Sequence, residues 1–363
     1  MKVFFNCGLE KNSLDGHEIF FNDCRSYLSG FGRPSELIFG GLQQYLRRNN
    51  LRNPEAFDEL YRTRNKGFMD FIEKTIEICK KCDVIILSAG VDMLPPEIIK
   101  SELKSKYKIQ FYVDDPHTTL SYGTPFAFAF DAAVYISKNY SERSTMLQFL
   151  KYVGFRNKHL YYLPLCASNR ASIHFSSAED LLDRQGSVYI GQYYGSKAAR
   201  LKYLKKNLRD DFKVYGRWPL KGMISLFSLL NGKNNFIFPV HSLSSDMRKQ
   251  IYLQSAVGFN LHQSENPTIE SGNVRTYELP WHGIAQVLDR PKLSENELPF
   301  IPEKEALYYN NINEAKELIS FLLSNNNYRA KLAYSGYKRA LKDYAWESVV
   351  SSFFSKIEKN NSI

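Results

Sequence analysis

Two glutamates eight positions apart, Glu270 and Glu278, are the residue pair in this chain whose types and spacing best suit a binding or catalytic site. A Gly-Asn pair follows the first glutamate, and Gly283 lies five residues after the second. A turn followed by a helix start would direct backbone N–H groups and both carboxylates toward one site. Helix N-termini attract phosphates, and carboxylates accept hydrogen bonds from sugar hydroxyls. The stretch therefore predicts a binding site for a nucleotide-sugar.

A second group of residues, around Gly191, is suited to binding a diphosphate. Lys197 and Arg200 follow this glycine as a helix begins, so backbone N–H groups and two cations would face one point. The spacing is neither that of a Walker loop nor GxGxxG, and an ordinary strand–turn–helix with a solvated basic face is the alternative. Arg275, between the two glutamates, would either pair with the phosphate or hold one glutamate in place.

In the first half of the chain, Asp114, Asp115 and His117 follow a predicted buried strand. They could supply a general base or bind sugar hydroxyls. The two aspartates are adjacent, unlike the Asp-x-Asp spacing of metal-binding motifs, so a metal-free site for a sugar or an acceptor is favoured. A helix N-cap is the structural alternative.

The elements that position these residues alternate short apolar runs with amphipathic segments, as βαβ units do. This alternation predicts strands at 2–5, 109–113, 159–163 and 235–240, and helices at 36–47 and 141–153. Residues 83–88 and 256–261 are continuous apolar runs, typical of strands buried on both faces. Each polar group follows a predicted strand, including Arg217 and the run from His262 to Glu278. Because open α/β sheets bind ligands beyond the carboxyl ends of their strands, this common position favours a shared function.

The length of 363 residues fits two domains of about 150–200 residues each. A polar segment at 164–186 separates two runs of α/β pattern. We predict an N-terminal Rossmann-like domain over residues 1–168, a C-terminal Rossmann-like domain over 169–342 and a closing helix over 343–363.

Composition narrows the class of partner. The net charge of +10 favours anionic ligands. Five scattered cysteines indicate a reducing compartment, and the lone pair Cys79 and Cys82 favours a structural role over zinc binding.

No stretch approaches the ~18 apolar residues of a spanning helix. We therefore expect a cytoplasmic protein, with the basic, aromatic segment 149–156 able to rest against anionic lipid at the inner membrane face.

The second half of the chain resembles the donor domain of GT-B glycosyltransferases, in particular the group related to bacterial spore-maturation glycosyltransferases. The resemblance lies in residues 257–262, 273–278 and Gly283, with further similarity at 112–116 and 336–347. The two glutamates are also similar to the Glu-x7-Glu signature of retaining glycosyltransferases. This resemblance implies two Rossmann-like domains facing across a cleft, with the C-terminal helix packing back toward the N-terminal domain.

The resemblance also implies roles for individual residues. Glu278 would bind the ribose of the nucleotide, and Glu270 would lie near the transferred sugar. Lys197 stands where the retaining family has its phosphate-binding lysine. The family's arginine after the glycine is Gln192 here, so Arg200 or Arg275 would supply that charge.

The expected activity is metal-independent transfer of a sugar, with retention of configuration, from a nucleotide-diphosphate sugar to a glycan, lipid-linked or protein acceptor. No cofactor, metal or nucleic-acid partner is expected. Alternatives are a sugar-nucleotide epimerase or phosphorylase on the same fold, and a non-catalytic basic module that binds nucleic acid or lipid through residues 197–209. Predicted catalytic residues are Asp114, Asp115, His117 and Glu270. Predicted donor-binding residues are Gly191, Lys197, Arg200, Arg217, His262, Asn273, Arg275 and Glu278.

Overall fold

The chain folds into two compact units, seen in a computed structural model. The first unit combines residues 1–169 with the final segment 346–363, and the second comprises residues 170–345. The structure describes residues 2–5, 11–14, 17–20, 61–88, 94, 96–112, 124–135, 138–139, 150–155, 158–167, 173–191, 196–216, 243–262, 269–270, 273–291 and 294–361.

The first unit contains a sheet of seven strands within the described residues, in the order β2-β3-β1-β4-β5-β6-β8. The strands are parallel except for β2, which runs antiparallel to β3 at one edge. The strands of this unit are β1 (Lys2–Phe5), β2 (Lys11–Leu14), β3 (His17–Phe20), β4 (Val84–Ser88), β5 (Tyr107–Tyr112), β6 (Ala132–Tyr135), β7 (Lys138–Asn139) and β8 (His159–Tyr162).

Helices α1 (Lys66–Lys80) and α2 (Pro96–Glu102) cover the first sheet. Their apolar faces share one core with the side chains of β4, and Cys79 and Cys82 are fully buried in that core. A short 3₁₀ segment lies in this unit at Thr124–Ala129. Others lie in the second unit at Glu179–Leu181, Arg209–Asp211 and Glu295–Glu297.

The second unit contains five parallel strands within the described residues, in the order β10-β9-β11-β13-β14. The chain goes from β9 outward to β10 and then returns to the other side of β9 for β11. The strands of this unit are β9 (Gln185–Ile190), β10 (Phe212–Tyr215), β11 (Ser255–Asn260), β12 (Ile269–Glu270), β13 (Ala285–Asp289) and β14 (Leu307–Tyr309). The gap between the carboxyl ends of β9 and β11 is thus the topological switch point, where doubly wound sheets bind ligands.

The helices of the second unit are α3 (Ser196–Leu208), α4 (Ser245–Gln254), α5 (Val274–Trp281), α6 (Ile312–Ser324) and α7 (Asn326–Asp343). Helix α8 (Trp346–Asn361) ends the chain and belongs to the first unit. There Phe353 is buried and meets the ring of Tyr161 edge to face, with ring centroids 5.9 Å apart. Among the described residues, no helix is long and apolar enough to cross a membrane.

The predicted strands at 2–5, 83–88, 109–113, 159–163 and 256–261 are confirmed to within two residues at each end. The helix predicted over 141–153 is described only from residue 150, where Lys151–Phe155 forms a π-helical turn containing Gly154 at φ 127°. Gly154 kinks the segment, because its positive φ lies outside the helical region and glycine tolerates that conformation. The predicted helix at 36–47 and the predicted strand at 235–240 lie outside the described residues.

Candidate functional site

Polar side chains gather at the carboxyl edge of the second sheet. They come from the ends of β11 and β13, from the first two turns of α3 and from the start of α5. We call this group the switch-point cluster; its members are Lys197, Arg200, Asn260, His262, Asn273, Arg275 and Asp289.

Arg275, in the first turn of α5, ties the two strands at the switch point together. Its Nη1 donates to the carbonyl of Ile190, 2.8 Å away at the end of β9. Its Nε donates to Oδ1 of Asn260 at 3.1 Å, and Nη2 donates to the carbonyl of Leu261 at 3.4 Å. The guanidinium also lies over the ring of Tyr189, 4.7 Å from its centroid. Three of the five N–H groups of Arg275 thus hold the walls of the site.

Helix α5 begins at an asparagine whose side chain does not cap it. Asn273 is the N-cap residue, but its Nδ2 donates to Oδ1 of Asn260, 2.7 Å away. Asn260 in turn donates from Nδ2 to Oγ1 of Thr276 at 3.0 Å. This amide pair fixes the start of α5 against the end of β11. As a result, the N-terminus of α5 is aimed at the switch point, where a helix start favours an anion.

Two cations enter the cluster from α3. Lys197 and Arg200 lie one turn apart on this helix, and Nη2 of Arg200 donates to the carbonyl of His262 at 2.6 Å. The pKa of Lys197 is lowered to about 8, chiefly by burial and also by the nearby Arg275 and Arg200, against the opposing effect of Asp289. Three cations with one carboxylate therefore form a half-buried positive centre, which suits a phosphate.

Asp289 is the carboxylate of the cluster, and it holds His262. Its Oδ2 accepts the backbone N–H of His262 at 2.6 Å, and its Oδ1 lies 2.6 Å from the imidazole Nδ1. Asp289 is 1% exposed and His262 is 7% exposed. A buried carboxylate requires such donors, so this pair stabilises the ends of β11 and β13 as well as orienting the ring.

Glycines allow the strand ends of β9 and β10 to approach each other closely. The N–H of Gly191 donates to the carbonyl of Tyr215 at 2.9 Å, so this amide is used within the sheet rather than for a diphosphate. A Cβ on Gly191 would overlap Nη1 of Arg275, and a Cβ on Gly216 would overlap the carbonyl of Gly191. Gly191 thus makes room for the arginine.

Glu278 lies further along α5, in a buried pocket against α4. It is 4% exposed; the hydroxyl of Tyr252 donates to its Oε2 at 3.3 Å, and Nη1 of Arg248 is 3.5 Å from its Oε1. Burial raises the pKa of Glu278 to about 7, against the opposing effects of Arg248 and Arg275. The carboxylate is therefore poised between its two protonation states near neutral pH.

The end of α5 is fixed by a left-handed glycine and an arginine. Gly283 has φ 64°, and its N–H donates to the carbonyl of Pro280, closing the helix. Nη1 of Arg184 donates to the carbonyls of His282 and Gly283, both at 2.8 Å. A cation at this end of the helix satisfies carbonyls that the helix leaves open.

The structure brings together six of the predicted donor-binding residues: Gly191, Lys197, Arg200, His262, Asn273 and Arg275. Glu278 lies on the same helix as Arg275 but in its own pocket. Glu270 is the last residue of β12; the structure describes its backbone and not its side chain. Asp114, Asp115, His117 and Arg217 lie outside the described residues.

Sequence reasoning missed Asn260, Asp289, Tyr252 and Arg248. The available signal for the first two was a polar residue ending an apolar strand, which marks the carboxyl edge of a parallel sheet. Among the residues that the structure describes, no group of three or more histidine, cysteine, aspartate or glutamate side chains could hold a metal ion.

Comparison with known proteins agrees with this architecture. The family model described as "Glycosyl transferase-like" matches residues 197–355, which include all seven residues of the switch-point cluster. An α-glucosyltransferase solved with UDP and a 13-mer DNA is similar at a TM-score of 0.57 with 11% identity, over 79% of this chain and 82% of that chain. The fold is GT-B.

Two other solved structures share the GT-B fold. A Listeria monocytogenes protein assigned as a UDP-N-acetylglucosamine 2-epimerase has a TM-score of 0.52 and 11% identity, over 99% of this chain and 96% of that chain. TarM has a TM-score of 0.50 and 13% identity, over 75% of this chain; the match spans about half of TarM, 54% of its chain. Comparison with curated protein sequences found no match.

Proposed function

We propose that this protein is a glycosyltransferase that takes its sugar from a nucleotide-diphosphate sugar. The observation that carries the proposal is the positive centre of Lys197, Arg200 and Arg275 at the switch point of a GT-B sheet. The match of residues 197–355 to a glycosyltransferase-like family supports it.

The proposed chemistry at this centre is stabilisation of the leaving diphosphate. Negative charge develops on the diphosphate as its bond to the sugar breaks, and cations already fixed in place stabilise that charge without reorganising. Arg275 is fixed by its strand-end contacts and Lys197 by partial burial. These side chains, with the N-terminus of α5, would perform the role that a metal ion performs in other transferases.

Glu278 is proposed to bind the ribose hydroxyls of the donor. A carboxylate can accept two such hydrogen bonds, and Arg248 and Tyr252 hold this one in a defined position. Glu270 is proposed to lie near the transferred sugar, on the basis of the Glu-x7-Glu resemblance alone. Retention of configuration is proposed on the same basis.

Donor hydrolysis with and without EDTA tests the proposal. We expect slow release of UDP or GDP from a matching nucleotide-sugar, unchanged by EDTA. Because one charge-assisted hydrogen bond contributes about 1.5–3 kcal/mol, Lys197→Ala should lower kcat/KM about tenfold or more. Lys202→Ala, on the exposed face of the same helix, is the matched control and should behave as wild type. Activity abolished by EDTA, or equal in both variants, would contradict the mechanism.

A second candidate is a sugar-nucleotide epimerase. The similarity to the Listeria protein extends over nearly the whole of both chains, which favours this alternative among the GT-B activities. An epimerase needs no acceptor and leaves the nucleotide attached. Chromatography of UDP-N-acetylglucosamine after incubation with the protein alone separates the two: a new nucleotide-sugar indicates epimerisation, whereas free UDP indicates transfer to water.

The proposed acceptor is a glycan, a lipid-linked saccharide or a protein, reached in the cytoplasm at or near the inner membrane face. The basis is the family resemblance together with the net charge of +10. Sedimentation with vesicles of anionic or neutral lipid tests the membrane contact, which should occur with the anionic vesicles and weaken with salt.

A further inference from the structure

Three hydrogen bonds hold His262, and none of them uses the ring nitrogen Nε2. The carboxylate of Asp289 accepts the backbone N–H of His262 at 2.6 Å and lies 2.6 Å from its Nδ1. Arg200 donates to the backbone carbonyl of His262 at 2.6 Å. The ring is therefore fixed in orientation by groups from β13 and α3.

The contact with Asp289 determines what the remaining ring nitrogen can do. A carboxylate only accepts hydrogen bonds, so Nδ1 of His262 carries the proton that is shared with Asp289. In the neutral ring, Nε2 then presents a lone pair and can only accept.

Nε2 of His262 is buried and has no hydrogen-bond partner among the residues that the structure describes. The residue as a whole is 7% exposed. Buried polar side-chain atoms in folded proteins are bonded in the large majority of cases, and the exceptions call for an explanation. A ligand that supplies the missing donor is such an explanation.

We propose that Nε2 of His262 accepts a hydrogen bond from a hydroxyl group of the bound nucleotide-sugar. This inference rests on the proposed function. A phosphate drawn to Lys197, Arg200 and Arg275 is itself an acceptor and has no proton to offer an imidazole lone pair. The hydroxyls attached beside the diphosphate, on the ribose or on the transferred sugar, do have one. Asp289 is then a positioning residue that acts through His262.

A pair of substitutions separates the role of Nε2 from the structural role of the ring. His262→Asn places an amide nitrogen where Nδ1 donates to Asp289 but has no atom at the position of Nε2. His262→Gln reaches the position of Nε2 with an amide oxygen that can accept. Binding of UDP-glucose, GDP-glucose, UDP, GDP and pyrophosphate is measured by calorimetry for wild type and both variants, with thermal unfolding recorded in parallel.

We expect His262→Asn to weaken binding of the recognised nucleotide-sugar about three- to tenfold, the contribution of one neutral hydrogen bond. His262→Gln should recover part of the loss, and pyrophosphate affinity should be the same in all three proteins. A loss shared by nucleotide and nucleotide-sugar assigns the hydroxyl to the ribose. A loss confined to the nucleotide-sugar assigns it to the transferred sugar.

Wild-type affinity for the nucleotide-sugar in His262→Asn would overturn the inference, leaving the proposed function intact. A proportional loss of pyrophosphate affinity in that variant would overturn it too, since it would show a structural effect on the whole cluster. If wild type binds none of the five compounds, the proposed function itself fails and the inference fails with it.

Discussion

Nη1 of Arg275 and the carbonyl oxygen of Ile190 lie 2.8 Å apart, although 85 positions separate the two residues in sequence. The same guanidinium contacts Asn260 and the carbonyl of Leu261 beyond β11. A single side chain thus sets the spacing between the two strand ends at the switch point, which is the spacing that a ligand there would meet.

Replacing Arg275 by lysine should destabilise the second unit. An ammonium on a flexible stem cannot reach three acceptors that are spread over two strand ends, so we expect a loss of about 2–3 kcal/mol. Urea unfolding measures the loss. The control is Arg290→Lys, whose arginine meets an exposed Glu295 at 3.2 Å; a surface pair of this kind should change stability by less than about 1 kcal/mol. Equal effects of the two substitutions would contradict the structural role of Arg275.

Gly216→Ala should destabilise far more than Gly186→Ala. Both glycines have positive φ, 138° and 65°, but an added Cβ at Gly186 has no neighbour nearer than 3.7 Å. We expect the Gly186 variant to lose about 1–2 kcal/mol from backbone conformation alone. At Gly216 the overlap with the carbonyl of Gly191 adds to the backbone cost, for a total of roughly 3 kcal/mol or more. Chemical denaturation of the two variants measures the difference, and similar losses would show that β9 and β10 can separate without penalty.

Phosphate binding should weaken as pH rises through about 8. Lys197 has its pKa lowered from 10.5 to about 8, so its charge is lost on the alkaline side of that value. If only the charged form binds, affinity falls by about tenfold for each pH unit above 8. Calorimetry with pyrophosphate from pH 7 to 9.5 follows the decline. Lys197→Arg, which keeps its charge over this range, should bind with little pH dependence; a decline as steep as that of wild type would assign the titration to another group.

Glu278→Gln should remove a pH dependence of stability. The folded pKa of Glu278 is raised from 4.5 to about 7, so between these values the unfolded chain releases a proton that the folded chain retains. Stability contributed by the neutral carboxyl is present below pH 4.5 and is lost as pH rises toward 7, by up to about 3 kcal/mol. Unfolding of wild type and variant at pH 5 and pH 7.5 gives the difference. The exposed variant Glu295→Gln should follow wild type, and parallel curves for Glu278→Gln would contradict the prediction.

Phe353→Ala in α8 should destabilise the first unit. The ring is 2% exposed and packs on Tyr161, so its removal leaves a cavity and costs about 3–5 kcal/mol. Phe321→Ala, whose ring is 46% exposed on α6, is the control and should cost much less. Thermal unfolding distinguishes the two. A comparable shift in both variants would show that α8 is only loosely associated with its sheet.

The sheet strands could largely be predicted from sequence because their apolar runs are continuous. Residues 84–87 and the strand Ser255–Asn260 are buried on both faces, and such strands carry an unmixed hydrophobic signal. The hairpin of β2 and β3 was not predicted, since its strands at Lys11–Leu14 and His17–Phe20 have only four residues each. Runs of this length are too short to show a clear alternation of apolar and polar residues.

The members of the site could be predicted in part, but their pairings could not. Lys197, Arg200 and Arg275 were predicted as donor-binding residues from their position after predicted strands. Asp289 pairs with His262 across 27 positions, and only the adjacency of β11 and β13 makes that contact possible. Glu278 lies in a pocket formed by Tyr252 and Arg248 of α4. The sequence of α4 does not indicate that these two side chains face Glu278.

The placement of α8 has a practical consequence for dissecting the protein. The second unit is one uninterrupted segment, residues 170–345, whereas the first is completed only by residues that come after it. Expression of 170–345 alone removes no strand or helix from its own sheet. A fragment that stops at residue 169 would expose the surface that Phe353 covers on Tyr161, so the first unit should be produced by joining 1–169 to 346–363 through a short linker or by supplying the closing helix as a separate peptide.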